Sequence, residues 1–396
     1  MREAVIVDVV RTPIGKGKPG GMLSGWHPVD LLAHVLRDLV ARTGVDPATV
    51  DDVIVGCVTQ AGEQSMNVAR NAVLAAGFPV SVPAASVDRQ CGSSQQALHF
   101  AAQGIMAGAY DVAIAAGVES MSRVPMFSAV QGADPYGVDL VTRFAPVGGL
   151  IPQGISAELI ATRWRLTREE LDAFAARSHA LADAATPTGI VATSVDRGEG
   201  RTDEPATRDE GIRPGSSVES LAGLKPAFRT DELAAAHPEA GWVVTAGNAS
   251  QISDGASAAL VMERGLAERL GLTPRAAVRS FAVVGDDPIL MLTGVIPATR
   301  KVLDRAGLTL DDLDAIEVNE AFASVVLAWL RETGADLEKV NAHGGAIANG
   351  HPLGASGTKL LGSLLDVLDE RGGRYGLQTM CEGGGMANAT IVERLV

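Results

Sequence analysis

Short runs rich in Val and Ile alternate along the chain with longer stretches in which Ala and Leu recur at helical spacing. Parallel strands linked by helices leave that trace, so the pattern predicts an α/β fold. In the first part it predicts strands near Val5–Val9, Val53–Val58, Ala85–Asp88 and Val112–Ala116, with helices near Val29–Arg42, Asn67–Ala76 and Gly92–Ala107. The last third repeats the grammar, with strands near Ala258–Met262, Ala277–Val283 and Ala315–Val318 and helices near Ala298–Ala306, up to Glu332, and Ala355–Leu368. DDVIVGCV in the first part parallels LDDLDAIEV in the last, and each part has a Gly-punctuated turn feeding a long helix. An internal duplication is the preferred reading.

Between these parts, from about Ser120 to Val243, the pattern degrades into Gly-, Pro- and charge-rich segments with one clear helical piece, LTREELDAFAARSHALADAA. Thr167 caps that helix and Glu170 completes a capping box. A stretch this long without strand alternation does not remain structureless in a compact protein. It is expected to be a third unit laid over the other two, where it shapes a ligand site. The expected division is 1–119, 120–248 and 249–396.

At 396 residues the chain exceeds the size at which one core stops growing, so more than one packed unit is expected. Hydrophobic residues at 46%, charged residues at 20% and aromatics at 4% describe a globular protein rather than a disordered one. The net charge of −14 excludes general affinity for nucleic acid or anionic membrane, so an anionic ligand must be held by local groups. Cys57, Cys91 and Cys381 are odd in number and far apart, which is neither a disulfide framework nor metal-ligand spacing. A reducing cytoplasm fits that usage. The opening MREAVIVDVVRTPIGKG reads as a first strand rather than a leader, and no apolar run approaches the length of a membrane span.

Four segments place reactive side chains among glycines, where backbone N–H groups can approach developing charge: DRQCGSSQQALHF, VNEAFA, GGAIANGHPLGASGTK and MCEGGGMANATIVE. Cys91 follows a strand and opens a helix, whose dipole is expected to favour the thiolate. Taken singly, such a cysteine is more often a small buried residue at a turn. His351, in NGHPLG, is placed to act as a base, although one histidine among seven is by itself more often structural. Cys381 ends an apolar strand and meets Gly383, Gly384 and Gly385 one residue later, so its thiol is expected at a sharply turned rim. Those glycines lack the Lys-Ser/Thr pair of a phosphate loop.

Together and in this order, the four segments resemble the thiolase family, from VVRTPIGK to the final IVERL. The resemblance implies two βαβαβαββ halves, pseudo-symmetric, in five α-β-α-β-α layers with an inserted loop domain. It implies a cysteine nucleophile at Cys91, activated by His351, that cleaves or forms the carbon–carbon bond of 3-ketoacyl-CoA thioesters, with Cys381 as the acid/base. It further implies one oxyanion pocket from the N–H groups of Cys91 and Gly383, and a second from His351 with a water held by Asn319. Coenzyme A contacts map onto Arg213, Ser220, Phe228, Ala246, Ser250, Ala321 and Phe322. No metal and no permanently bound cofactor are implied; coenzyme A is a co-substrate, and the protein is expected to be a homodimer or homotetramer.

One departure matters. Where many short-chain members of the family carry a His-Met pair, this chain reads IPQGISAE, with Pro152 and Gln153 at those positions. That favours a degradative enzyme, including one for steroid- or aromatic-derived acyl chains, over a biosynthetic acetoacetyl-CoA enzyme. A ketoacyl synthase, which carries His or Asn in place of the CEGGG cysteine, and a non-catalytic acyl-CoA-binding protein on the same fold are the competing readings.

Overall fold

The expected alternation of strands and helices is present in the computed structural model, which describes residues 2–395. The first half contains β1 (Ala4–Arg11), a short β2 (Gly15–Lys16), α1 (Pro28–Thr43), β3 (Asp52–Gly56), α2 (Val68–Ala75), β4 (Ala84–Val87), α3 (Ser93–Ala107) and β5 (Val112–Ser120). A long excursion follows, with α4 (Val138–Phe144), α5 (Gln153–Arg163), α6 (Arg168–Ala184), a hairpin of β6 (Thr193–Asp196) and β7 (Arg201–Ala206), α7 (Val218–Ala222) and α8 (Asp231–Ala236). The chain returns in β8 (Ser253–Glu263) and α9 (Arg264–Arg269). The second half runs through β9 (Ala276–Gly285), α10 (Val295–Ala306), β10 (Ala315–Val318), α11 (Ala323–Thr333), α12 (Ala346–Asn349), α13 (Ser356–Arg371), β11 (Tyr375–Glu382) and β12 (Met386–Arg394).

Among the described residues the main strands hydrogen-bond in the order β10-β11-β12-β9-β1-β8-β5-β3-β4. Counted within its own half, each set has the order third-second-fourth-fifth-first, provided that Val340, which bridges Ile316 in parallel, is taken as the rudimentary third strand of the second half. The halves also share a defect. The β1–β8 ladder skips Val7, and the β9–β12 ladder skips Arg279, the corresponding residue of the repeat. They meet along a seam of only two pairs, Val5–Ala277 and Ile6–Ala276.

Three apolar cores explain the layers. Leu31, Leu36 and Val73 of α1 and α2 cover one face of the first half against Val53, Val55 and Leu260. Val302 of α10 and Trp329 of α11 cover the second half against Leu377 and Ala389. Between them, Leu98 and Ile105 of α3 and Leu361 and Leu365 of α13 fill a central core against strands of both halves. The result is the expected α-β-α-β-α arrangement. The two central helices touch closely: a Cβ on Gly357 would lie 2.1 Å from the Gln95 backbone nitrogen.

The excursion differs from expectation by containing strands. TSVD and RTDEPA pair as a hairpin, yet their charges and Pro205 hide the two-residue alternation by which strands are read. Helices α4, α5, α7 and α8 were likewise not predicted, whereas α6 and its Thr167–Glu170 capping box are present. Strands β5 and β8 extend beyond their apolar runs because the buried polar groups at their ends, Glu119 and Asp254, find partners inside the protein.

Candidate active site

The glycine-flanked turns that carry Cys91 and His351 converge where the first half's α3 and the second half's α13 begin. Cys91 precedes Gly92, the residue that caps α3, and is 6% exposed. His351 lies between α12 and α13 after Gly350, whose φ of 90° and ψ of 163° suit glycine alone. Cys91 and His351 line one cavity of about 100 Å³ with Ser250, Ala321, Phe322 and Gln153. Met121, Met126, Ile252 and Leu353 supply its apolar wall.

His351 is oriented by a short relay. Its Nδ1 is 2.6 Å from Ser356 Oγ, and that hydroxyl donates its single hydrogen to the Pro352 carbonyl at 2.8 Å. The network therefore puts the imidazole hydrogen on Nδ1, donating to Ser356, and leaves Nε2 with a free lone pair. The Asn319 side-chain amide approaches Nε2 at 3.4 Å and also hydrogen-bonds the Cys381 sulfur, so Asn319 joins base and second thiol. Asn319 Oδ1 is buried with no partner among the described residues. At the β11–β12 turn, Gly383 packs against the residue before the nucleophile, an added Cβ there falling 3.1 Å from Gln90 Oε1.

Two buried carboxylates fix the histidine-bearing segment from opposite halves. Glu119 accepts hydrogen bonds from the backbone of Val58, Thr59 and Gly354 and from the Gln64 amide, at 2.9–3.0 Å. Glu320, in the VNEAFA segment, accepts from Ser178 Oγ at 2.6 Å, Asn341 Nδ2 at 2.9 Å and the Ile347 N–H at 3.2 Å. Each clamps a different part of the loop that carries His351, and Ser178 brings α6 of the excursion into the same network.

The electrostatics correct the expectation of a ready thiolate. Burial pushes the Cys91 thiol up to about 12, the nearby Glu382 carboxyl adds to the effect, and a helix that starts two residues later does not offset it. Burial and then the Lys359 charge lower His351 to about 3. The two groups that line the cavity are thus held neutral, Cys91 as the thiol and His351 as the imidazole. Cys381 is also corrected: it is fully buried rather than at a rim, and burial followed by the proximity of Cys91 raises its thiol well above the ordinary range.

The residues expected to contact coenzyme A separate into two groups. Ser250, Ala321 and Phe322 share the cavity, tied together by the Ser250 N–H to the Ala321 carbonyl at 2.9 Å. Phe228 meets Phe322 edge-on at 5.9 Å and covers Gly154, next to Gln153. Arg213, Ser220 and Ala246 lie outside the cavity wall on exposed surface, and the Ser220 hydroxyl is engaged in capping α7. Sequence reasoning missed Ser356, Lys359 and the two methionines. Ser356 was legible as the polar residue five positions after His351, but nothing in the sequence places Met121 and Met126 at the cavity.

Comparison with known proteins is consistent with this geometry. Residues 4–265 match the family model described as "Thiolase, N-terminal domain", and residues 272–394 match "Thiolase, C-terminal domain". The chain is 49% identical to the "Steroid 3-ketoacyl-CoA thiolase FadA6" of Mycobacterium tuberculosis, an alignment covering 100% of this chain and 95% of that protein. It is 46% identical to a "3-ketoacyl-CoA thiolase" of Pseudoalteromonas translucida and 44% identical to one of Salmonella typhimurium, with full coverage of both chains in each case.

Proposed function

The chain belongs to the thiolase family, and on that premise we propose that it is a degradative 3-ketoacyl-CoA thiolase, an acetyl-CoA C-acyltransferase working through an acyl-Cys91 intermediate. The convergence of Cys91, His351, Asn319 and Cys381 from both halves carries the reading. Cys91 Sγ attacks the C3 ketone carbon while His351 Nε2 takes the thiol proton, giving a tetrahedral oxyanion beside the N–H groups of Cys91 and Gly383. The C2–C3 bond then breaks. The carbanion equivalent of acetyl-CoA is stabilised as an enolate beside His351 and Asn319, and takes its proton from the Cys381 thiol. In the second half-reaction the Cys381 thiolate accepts the proton of incoming coenzyme A, whose sulfur attacks the acyl carbon. Cys91 leaves and recovers its proton from His351.

No metal enters this scheme, and coenzyme A is consumed and regenerated as a co-substrate. The contacts with Arg213, Ser220, Phe228, Ala246, Ser250, Ala321 and Phe322 are assigned to its adenine and pantetheine parts. The identity to a steroid 3-ketoacyl-CoA thiolase and the two adaptable methionines of the cavity wall favour bulky acyl chains over acetoacetyl-CoA. The three free, buried thiols favour a reducing compartment, and we place the enzyme in the cytoplasm as a homodimer or homotetramer of the units 1–119, 120–248 and 249–396. No helix among the described residues is long and apolar enough to cross a membrane.

The test is CoA-dependent thiolysis across 3-ketoacyl-CoA substrates from acetoacetyl to polycyclic, with mass spectrometry of the acylated Cys91 peptide. Ping-pong kinetics and an acyl group on Cys91 are expected. Turnover without acylation of Cys91 would refute the mechanism, and inertness across the whole panel would refute the activity.

A further inference from the structure

Lys359 is among the largest fully buried side chains of the protein, and the reaction scheme does not use it. It lies on α13, three residues after the Ser356 that holds His351 Nδ1. Its ammonium donates to Asn349 Oδ1 and, at 2.8 Å, to the carbonyl of Gly350, the residue immediately before His351. The far side of the same peptide is fixed as well, because the His351 N–H faces Ser253 Oγ at 3.0 Å and the Gln251 carbonyl at 3.2 Å. Gly350 has a backbone conformation that few residues adopt, so two acceptors bound by one buried cation are what keep this turn from relaxing.

We propose that Lys359 is a positioning residue of the active site: its buried ammonium pins the Asn349–Gly350 turn and so aims the His351 imidazole at Cys91. The inference rests on His351 being the base. The ammonium faces Asp209, Glu317 of β10 and Glu320 from the turn after it, with Asp366 lining the adjoining cleft; burial raises the Glu317 and Glu320 carboxyls, and Arg11 of β1 is a further cation that forms a buried bidentate pair with Asp209 at 2.7 and 2.9 Å. Burial, ahead of these partners, lowers Lys359 to about 8, so it is charged at neutral pH. The lysine also borders a cleft that shares no lining residue with the Cys91 cavity. This narrow cleft, at Pro187, Gly189 and Ser363, shares Arg11, Pro187 and Ser363 with an open cavity of about 300 Å³.

The experiment reads Cys91 directly and needs no CoA substrate. Alkylation of Cys91 by iodoacetamide is followed by peptide mass spectrometry from pH 4 to 10 in wild type, Lys359→Met, Lys359→Arg, Lys359→Ala and His351→Ala, with the melting temperature of each recorded. Lys359→Met is expected to slow alkylation by about 10- to 100-fold, as misplacement of a base does, and to move the acid limb to higher pH. Lys359→Arg, which keeps the charge, is expected to restore most of the rate. In Lys359→Ala the rate is expected to recover with added n-propylammonium, which replaces the missing atoms through that cleft. Alkylation of a folded Lys359→Met at the wild-type rate and with the wild-type pH profile would overturn the proposal. Failure of the base assignment is distinguishable, because His351→Ala would then itself alkylate like wild type. If Lys359→Met does not fold, a Lys359→Ala protein that folds but shows no response to the amine overturns the proposal in its place.

Discussion

The same connection is made twice in this molecule with opposite economy. In the second half, the fourth strand β11 turns into the fifth, β12, through Gly383, Gly384 and Gly385. In the first half the equivalent step, from β5 to β8, takes residues 121–252. The strand order and the bulge position are otherwise shared, so the difference isolates what each connection does. The tight turn sets Gly383 against Gln90, the residue before Cys91. The long one supplies Met121, Met126, Gln153 and Ser250 to the cavity. The short connection fixes a position, and the long one builds a cavity wall.

Substitutions sharpen that contrast, beginning with the largest effect. Cys91→Ala is expected to lower thiolysis by about 10⁴-fold or more while leaving the melting temperature nearly unchanged; retained turnover in a thiolysis assay would remove the first half's claim to the nucleophile. Gly385→Ala is next. Its φ is 77°, and a Cβ would fall within 2.9 Å of Asp286 and Asp287 carbonyl oxygens, so a loss of about 3 kcal/mol is expected in chemical denaturation. The matching change in the long connection, Gly132→Ala, has the same φ of 77° but meets nothing within 4 Å, and about 1 kcal/mol is expected there. Equal losses would show that the two connections are equally rigid.

Ser356→Ala removes the acceptor for His351 Nδ1, freeing the ring to adopt the other tautomer, and a fall in kcat of about 10-fold or more with little change in KM is expected from steady-state kinetics. A pH dependence rather than a single loss is expected at Glu382, whose buried carboxyl is raised to about 8 chiefly by desolvation and has neither oxygen hydrogen-bonded among the described residues. The folded state therefore binds this proton more tightly than the unfolded one, so stability falls as pH rises from the ordinary carboxylate value of 4.5 towards 8. Glu382→Gln is expected to flatten that decline in a series of thermal melts; an unchanged slope would show that the carboxyl is already ionised.

Much of this was legible in the sequence because strand and helix periods are strong wherever both faces of a strand are covered, as in Val112–Ala116 or Ala315–Val318. The β6–β7 hairpin was illegible because its charged residues and Pro205 break the two-residue alternation, even though β6 is buried or half-buried throughout. For the site, Cys91 and His351 are each more often structural when taken alone, and it is the four glycine-flanked segments together, through their resemblance to the thiolase family, that single them out. Their protonation could not be read this way, because it depends on burial and on Glu382 and Lys359, which only the fold brings near. The methionine wall is invisible for the same reason.

The position of β8 between β1 and β5 also dictates an order of assembly. Ala4 pairs with Glu263, so a nascent chain halted before residue 253 holds β1 apart from the β4-β3-β5 group, with nothing to join them. Two unpaired strand edges then wait for the whole excursion to be synthesised, which makes closure slow and exposes those edges to other chains meanwhile. During translation, the half that carries the nucleophile begins first but is completed only once the ribosome is two-thirds of the way along the message.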